Sequence, residues 1–310
     1  MKKKWLITGG AAGISGAIML VSGLTAFAGT SGYEDYKAAL KYTAENTQSV
    51  TVQANALLKD NGSILSQAQG SIKANLQNEA VSGDVKITGS QGSQVLSLYS
   101  QSDGQVWKSD ASDTYYVKQD SQDKKDQETE KESTETAWLS SQEEKIMDAL
   151  IGNLKNEITS TTDKDGAKHI SLQLDNAQIP AVVQALAPVL FKNLSEEKDH
   201  ESSKETTVDS NDPEDLIQRN LFDFQAIVLT NGVQIQSIRL NADITPANEL
   251  QHQQLDLTFV GKDAQGTSHT LAASLDVQLS AFNATTTESI DLTGKQVQQL
   301  KEDHEHQHRN

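Results

Sequence analysis

The chain contains no cysteine. That excludes disulfides, thiolate chemistry and a cysteine for lipid attachment, so the body must stand on its core alone. Aromatic residues are equally scarce, at 5%, with tryptophan only at Trp5, Trp107 and Trp138. This argues against stacking platforms for sugars or single-stranded nucleic acid. Basic residues are outnumbered, 26 against 43 acidic ones, giving a formal net charge of -17 that would repel phosphate backbones and argues against a nucleic-acid partner. The patterns G-x-S-x-G, H-E-x-x-H, S-x-x-K with its partners and the phosphate-binding G-x-x-x-x-G-K-S have no credible instance, and the sequence reads as non-enzymatic, with no cofactor implied.

What is present begins with export. Lys2, Lys3 and Lys4 precede an apolar, glycine-dotted run from Trp5 to Leu24, and Ala26-Phe27-Ala28 fits an A-x-A cleavage site. Residues 1–28 therefore read as a signal peptide, with an uncleaved membrane anchor as the alternative because the run is long enough to span a bilayer. Both readings place the body outside the cytoplasm, secreted or anchored at the outer face of the cytoplasmic membrane. A cysteine-free exported protein suits a bacterial cell envelope.

Residues 29–294 read as one domain. Tyr33, Tyr36, Lys37, Leu40 and Ala44 recur at helical spacing, and Ser31 with Glu34 resembles a capping box. Strict alternation follows in Val50, Val52, Ala54, Ala56 and Leu58, and Asn61-Gly62 marks a hairpin turn. Similar runs over Ile64–Leu76, Val81–Ile87, Leu96–Leu98, Val106–Trp107 and Tyr115–Val117, each closed by a short turn, predict an antiparallel meander. The acidic stretches 119–136 and 195–213 lack the apolar residues that could order them by burial and are expected to be disordered insertions carrying most of the net charge. Between them lie a helix expected over Trp138 to Ile158, a strand carrying Ile170, Leu172 and Leu174, and the segment Ile179 to Leu194. This last segment is apolar on nearly every side, with a break expected near Pro188.

The C-terminal half predicts strands over Phe222–Leu229, Val233–Ile244, Leu255–Phe259 and Leu271–Leu279, with Asn231-Gly232 read as a turn. Between Ile235 and Ile238 the buried parity switches, the signature of a β-bulge near Gln236 or Ser237 that would bend the sheet. The fold expected is therefore α+β, a large curved antiparallel sheet, or half-barrel, with two or three helices on its concave face. Residues 295–310 read as a polar tail.

Two patterns invite metal readings. His304, His306 and His308 alternate and could hold zinc or copper if extended, but nothing apolar nearby would order them, and a solvated terminus is preferred. Asp163-Lys164-Asp165-Gly166 matches the start of a calcium loop but lacks the rest, so it reads as a hairpin turn. His169, His252 and His269 fall at strand ends or polar parities and read as solvated. The functional reading rests on Val182, Val183, Leu186, Val189, Leu190 and Phe191, with Ile146, Leu150 and Leu154, lining a space between helices and curved sheet that accepts a lipid or acyl chain. The alternative is an extracytoplasmic sensor or interaction module regulating a membrane protein partner.

The order of export segment, amphipathic helix, long meander, helical insertion and further strands, from Tyr33 to about Leu292, resembles the bacterial lipoprotein-carrier superfamily of LolA-like, LppX-like and RseB-like proteins. The resemblance implies a half-open barrel capped by helices that holds acyl chains or engages a membrane partner. The missing cysteine and the acidic insertions depart from that pattern.

Overall fold

The structure is a computed structural model describing residues 31–90, 92–101, 104–118, 154–185, 187–188 and 229–300. It opens with helix α1 (Ser31–Asn46), followed by β1 (Ser49–Asp60), β2 (Ser63–Asn75), β3 (Ala80–Gly89), β4 (Gly92–Gln101), β5 (Gly104–Ser109) and β6 (Tyr115–Lys118). These six strands pair in sequence order as antiparallel neighbours. Asn61 and Gly62, with φ of 48° and 86°, make the left-handed turn that a tight hairpin needs. The chain continues with β7 (Thr159–Thr162), β8 (Lys168–Asp175), the short helix α2 (Ala181–Gln184), β9 (Asn231–Ile244), β10 (Leu250–Lys262), β11 (Ser268–Ser280) and β12 (Val297–Gln299).

The twelve strands of the described residues belong to one open sheet, ordered β12-β6-β5-β4-β3-β2-β1-β11-β10-β9-β8-β7. The join between halves is the long antiparallel pairing of β1 with β11. The expected α+β class is corrected here: among the described residues the fold is a strand-dominated curved sheet, and α2 is a single turn. Alternation at period two was the dominant signal along the chain, and it outweighs the helices in the structure as well. The sheet is also not wholly antiparallel, because β12 runs parallel to β6 at the edge. No helix among the described residues is long and apolar enough to cross a membrane.

One face of the sheet is apolar and carries the core. Helix α1 buries Tyr33, Tyr36, Ala39 and Leu40 against Val50, Val52, Ile170, Ala242, Ile244, Leu250, Val277 and Leu279. Its approach is close: a Cβ on Gly32 would lie 2.4 Å from the Ile158 carbonyl oxygen, so only glycine fits where the helix meets the entrance to β7. At the helix flank, Lys168 of β8 pairs with Asp35 at 2.5 Å. A separate small cluster of Leu98, Trp107 and Tyr116, with Leu300 against it, covers the same face near β12.

The opposite, polar face carries a strap. After β11 the chain runs over β1 to β4 before reaching the far edge as β12, held by side chains that catch its backbone. Ser49 Oγ accepts from the Thr285 N–H (3.1 Å) and Ser82 Oγ from the Glu288 N–H (2.8 Å). Gln101 Oε1 accepts from the Ile290 N–H (3.0 Å) while its Nε2 donates to the Ile290 carbonyl (3.3 Å). Lys295 ends the crossing with its ammonium 4.8 Å from the Tyr115 ring centroid. The strap, β12 and the edge strand β7 are absent from the sequence-based expectations. Asn231-Gly232, expected as a turn, opens β9 instead, with Gly232 at a φ of 62°.

Candidate functional site

The strand registers line up the apolar residues in rungs. One rung runs Leu172, Leu240, Leu255, Leu275, Ala56, Ala68, Ile87 across seven strands without a polar side chain. A parallel rung runs Leu174, Ile238, Leu257, Ala273, Leu58 before reaching Ser66. The ends of the first rung are closed, with Leu172 at 5% and Ile87 at 1% exposure, whereas Leu240, Leu255, Leu275, Ala56 and Ala68 are only half-buried. Among the described residues the face is therefore more deeply buried at its borders than along its middle. Alanine at 54, 56, 68 and 273 keeps side chains short along that middle.

Two devices flank this middle stretch. On the α1 side, Gln253 is the one polar member of the rung Ile170, Ala242, Gln253, Val277, Ala54, and it is buried. The Tyr36 hydroxyl donates to Gln253 Oε1 at 3.0 Å, so the amide is not left unpaired. Burial pushes the Tyr36 phenol up to about 12, which keeps it neutral and able to donate.

On the other side stands α2. The register of β9 against β10 shifts between Thr258 and Phe259, leaving Gln236 as the extra residue, which is where the parity switch placed the bulge. β8 ends opposite Ser237, so among the described residues no strand lies beyond Ile235 on that side. Gln184 of α2 substitutes for one: the Ile235 N–H donates to Gln184 Oε1 (2.9 Å) and Gln184 Nε2 donates to the Ile235 carbonyl (2.6 Å). This amide anchors α2, whose Val183 packs with Ala187, Leu229, Val233, Ile235, Phe259 and Leu271 in the core.

The residues expected to line a ligand space fall unevenly. Leu154 and Val182 are partly buried and pack against the core, and Val183 is buried at 5% exposure. Ile146, Leu150, Leu186, Val189, Leu190 and Phe191 lie outside the described residues, as do His304, His306 and His308. Ile179 to Leu194, expected to have hardly any wet side, does have one within its described part: Ala181, Ala185 and Pro188 are exposed, and the core takes Ile179, Val183 and Ala187. Small residues on the outer side made the segment look greasy all round. Near Trp138 to Ile158, the described end is a 3₁₀ turn at Lys155–Glu157, after which Ile158 is extended and buried. The apolar floor at Leu240, Leu255, Leu257 and Leu275 was read only as strand, although its alternation was the available signal.

The other face is polar and carries His169 and His252, while His269 lies at a strand end in the parity of Leu271; none of the three is solvated singly as expected. His169 Nε2 lies 3.0 Å from Asp163 Oδ2 and its Nδ1 2.7 Å from Asp243 Oδ1. His252 Nδ1 lies 3.2 Å from Asp243 Oδ2 and its Nε2 2.9 Å from Asp276 Oδ2. At the far hairpin tips, His269 sits 3.0 Å from Asp60 Oδ2 and 3.3 Å from Asp263 Oδ2. Hydrogen bonds to Asp163 and Asp243 raise His169 above the ordinary imidazole value. For His252, burial pulls down but the bonds to Asp276 and Asp243 outweigh it; for His269, the bond to Asp60 raises most. Among the described residues no group of three or more such side chains is arranged to hold a metal ion. Asp163 to Gly166 forms the β7–β8 hairpin turn, with the Gly166 N–H donating to the Asp163 carbonyl at 3.0 Å.

No family model matches the chain, and no curated protein matches it. Among solved structures the chain is similar to a DUF1329 family protein from Desulfovibrio piger, at 9% identity over 80% of this chain and 90% of that one, with a TM-score of 0.17. A likeness that slight carries no argument about fold or function.

Proposed function

We propose that the trough on the apolar face receives a lipid or acyl chain, and that the protein is an exported, non-enzymatic binding component of a cell envelope. The observation that carries this reading is the seven-strand apolar rung, whose ends are buried while Leu240, Leu255 and Leu275 in its middle remain partly exposed. Leucine in that setting retains apolar surface facing water, and covering it with a chain of methylenes is favourable by about 0.8 kcal/mol for each methylene buried. The short side chains of Ala54, Ala56, Ala68 and Ala273 leave width beside the leucines for such a chain. The apolar N-terminal run with its A-x-A site supports export, and the element-order resemblance to lipoprotein carriers supports the ligand class.

A fluorescent fatty-acid probe titrated into the purified protein tests this. The expected outcome is saturable binding whose affinity falls about tenfold for every two methylenes removed from a competing fatty acid. Leu255→Gln should weaken all members of the series. Binding that does not saturate, or that ignores chain length, would contradict the proposal.

A further inference from the structure

On the polar face, Asp163, His169, Asp243, His252 and Asp276 form a continuous row from the β7–β8 turn across β8, β9 and β10 to β11, each imidazole lying between two carboxylates. The row follows the register. His169 and His252 both stand directly opposite Asp243, and Asp276 lies one step diagonally from His252. A neutral imidazole has one N–H and one lone pair, so it can donate to only one of its two carboxylates while the lone pair faces the oxygen of the other. An imidazolium donates to both. The protonated row alternates charge, while the deprotonated row leaves three carboxylates together and gives up half of its hydrogen bonds.

We propose that this row is a proton-operated clamp that holds β8, β9, β10 and β11 together in mildly acidic surroundings and lets them loosen as the pH rises past neutrality. The other charged groups facing it do not replace the imidazoles. Arg239 on β9 pairs with Asp175 of β8 at 3.9 Å, and Asp256 on β10 accepts from Gln254 Nε2 at 3.0 Å. Lys164 and Asp165 lie in the β7–β8 turn and Glu249 precedes β10. The side chains are partly exposed, from 30% for His252 to 59% for Asp163, so protons exchange freely with solvent and the clamp can respond. The direction follows from the bonds: stabilising the charged imidazole raises its affinity for a proton in the folded state. That stabilisation is full below the unfolded imidazole value of about 6.5 and is lost as the pH climbs through the raised folded values.

The test uses the full chain. NMR titration of the imidazole Cε1–H resonances should place His169 and His252 above the ordinary value. Between pH 6.5 and 8.5 carboxylates and lysines hold their charge, so histidines and the α-amine are the groups that titrate. The melting temperature should fall by about 2–4 °C over that range, and the fall should shrink in His169→Gln/His252→Gln. A variant with His200, His304, His306 and His308 all changed to Gln should keep the wild-type slope. Resonances titrating at or below the ordinary value, or equal slopes in the wild type and the His169→Gln/His252→Gln variant, would overturn the clamp.

Discussion

Tyr36 and Gln253 show how a single polar residue is tolerated inside the apolar face. Gln253 is buried, and its carbonyl oxygen accepts from the one hydroxyl that α1 aims at it. Tyr36→Phe removes that donor and should cost about 1–3 kcal/mol in denaturant unfolding. Combined with Gln253→Leu, the two losses should not add, because the hydrogen bond they share can be lost only once. His269 gives a second residue-scale expectation. It joins the β1–β2 and β10–β11 tips through Asp60 and Asp263, and Asp60 Oδ1 is buried without a hydrogen-bond partner. His269→Gln should therefore destabilise the protein more at pH 6 than at pH 8.5, since the wild-type imidazole loses its proton, and with it the advantage, as the pH rises. The histidines could be placed at strand ends or polar parities from the sequence, but not paired. Which aspartate faces which imidazole depends on the register of four strands, and that register depends on the bulge.

At the scale of elements, two glutamines perform one task. Gln184 occupies the N–H and carbonyl of Ile235 where β8 stops, and Gln101 does the same for Ile290 of the strap. Gln184→Ala should leave both Ile235 groups unsatisfied, at a cost of about 1–3 kcal/mol, with the loss of hydrogen-exchange protection concentrated at α2 and the start of β9. The strands of the sheet were legible wherever apolar and polar residues alternate, as in Val50 to Leu58 and Leu271 to Leu279, and the bulge was legible as a change of parity. β7 was not, because Thr159-Ser160-Thr161-Thr162 offers no contrast between its two sides. The strap was hidden for another reason: its order comes from side chains of β1, β3 and β4 reaching its backbone, which leaves no pattern in its own residues. The glutamine substitutions for strand bonds were invisible too, since they require knowing where β8 ends.

Taken whole, the described chain is one sheet with two unlike faces. The apolar face is buried beneath α1 and α2 and at the Leu98–Trp107–Tyr116 cluster, and is partly exposed along Leu240, Leu255 and Leu275. The polar face carries the strap over one half and the carboxylate–imidazole row over the other. The sequence showed the apolar strands but directed attention to Ile179 to Leu194 as the ligand-lining element. In the structure the described part of that segment packs Ile179, Val183 and Ala187 into the core beside the apolar face of the strands. The same residues satisfy the demand for a core and the demand for a binding surface, and only the register shows where the core stops.

Native mass spectrometry of the protein purified gently from its producing cells addresses the trough most directly. The expected result is a species heavier than the polypeptide by the mass of a lipid or fatty acid, released by organic extraction and lost in Leu255→Gln/Leu275→Gln while that variant keeps its folded charge-state distribution. A wild-type protein that carries no such mass and takes none up from added fatty acid would contradict the account.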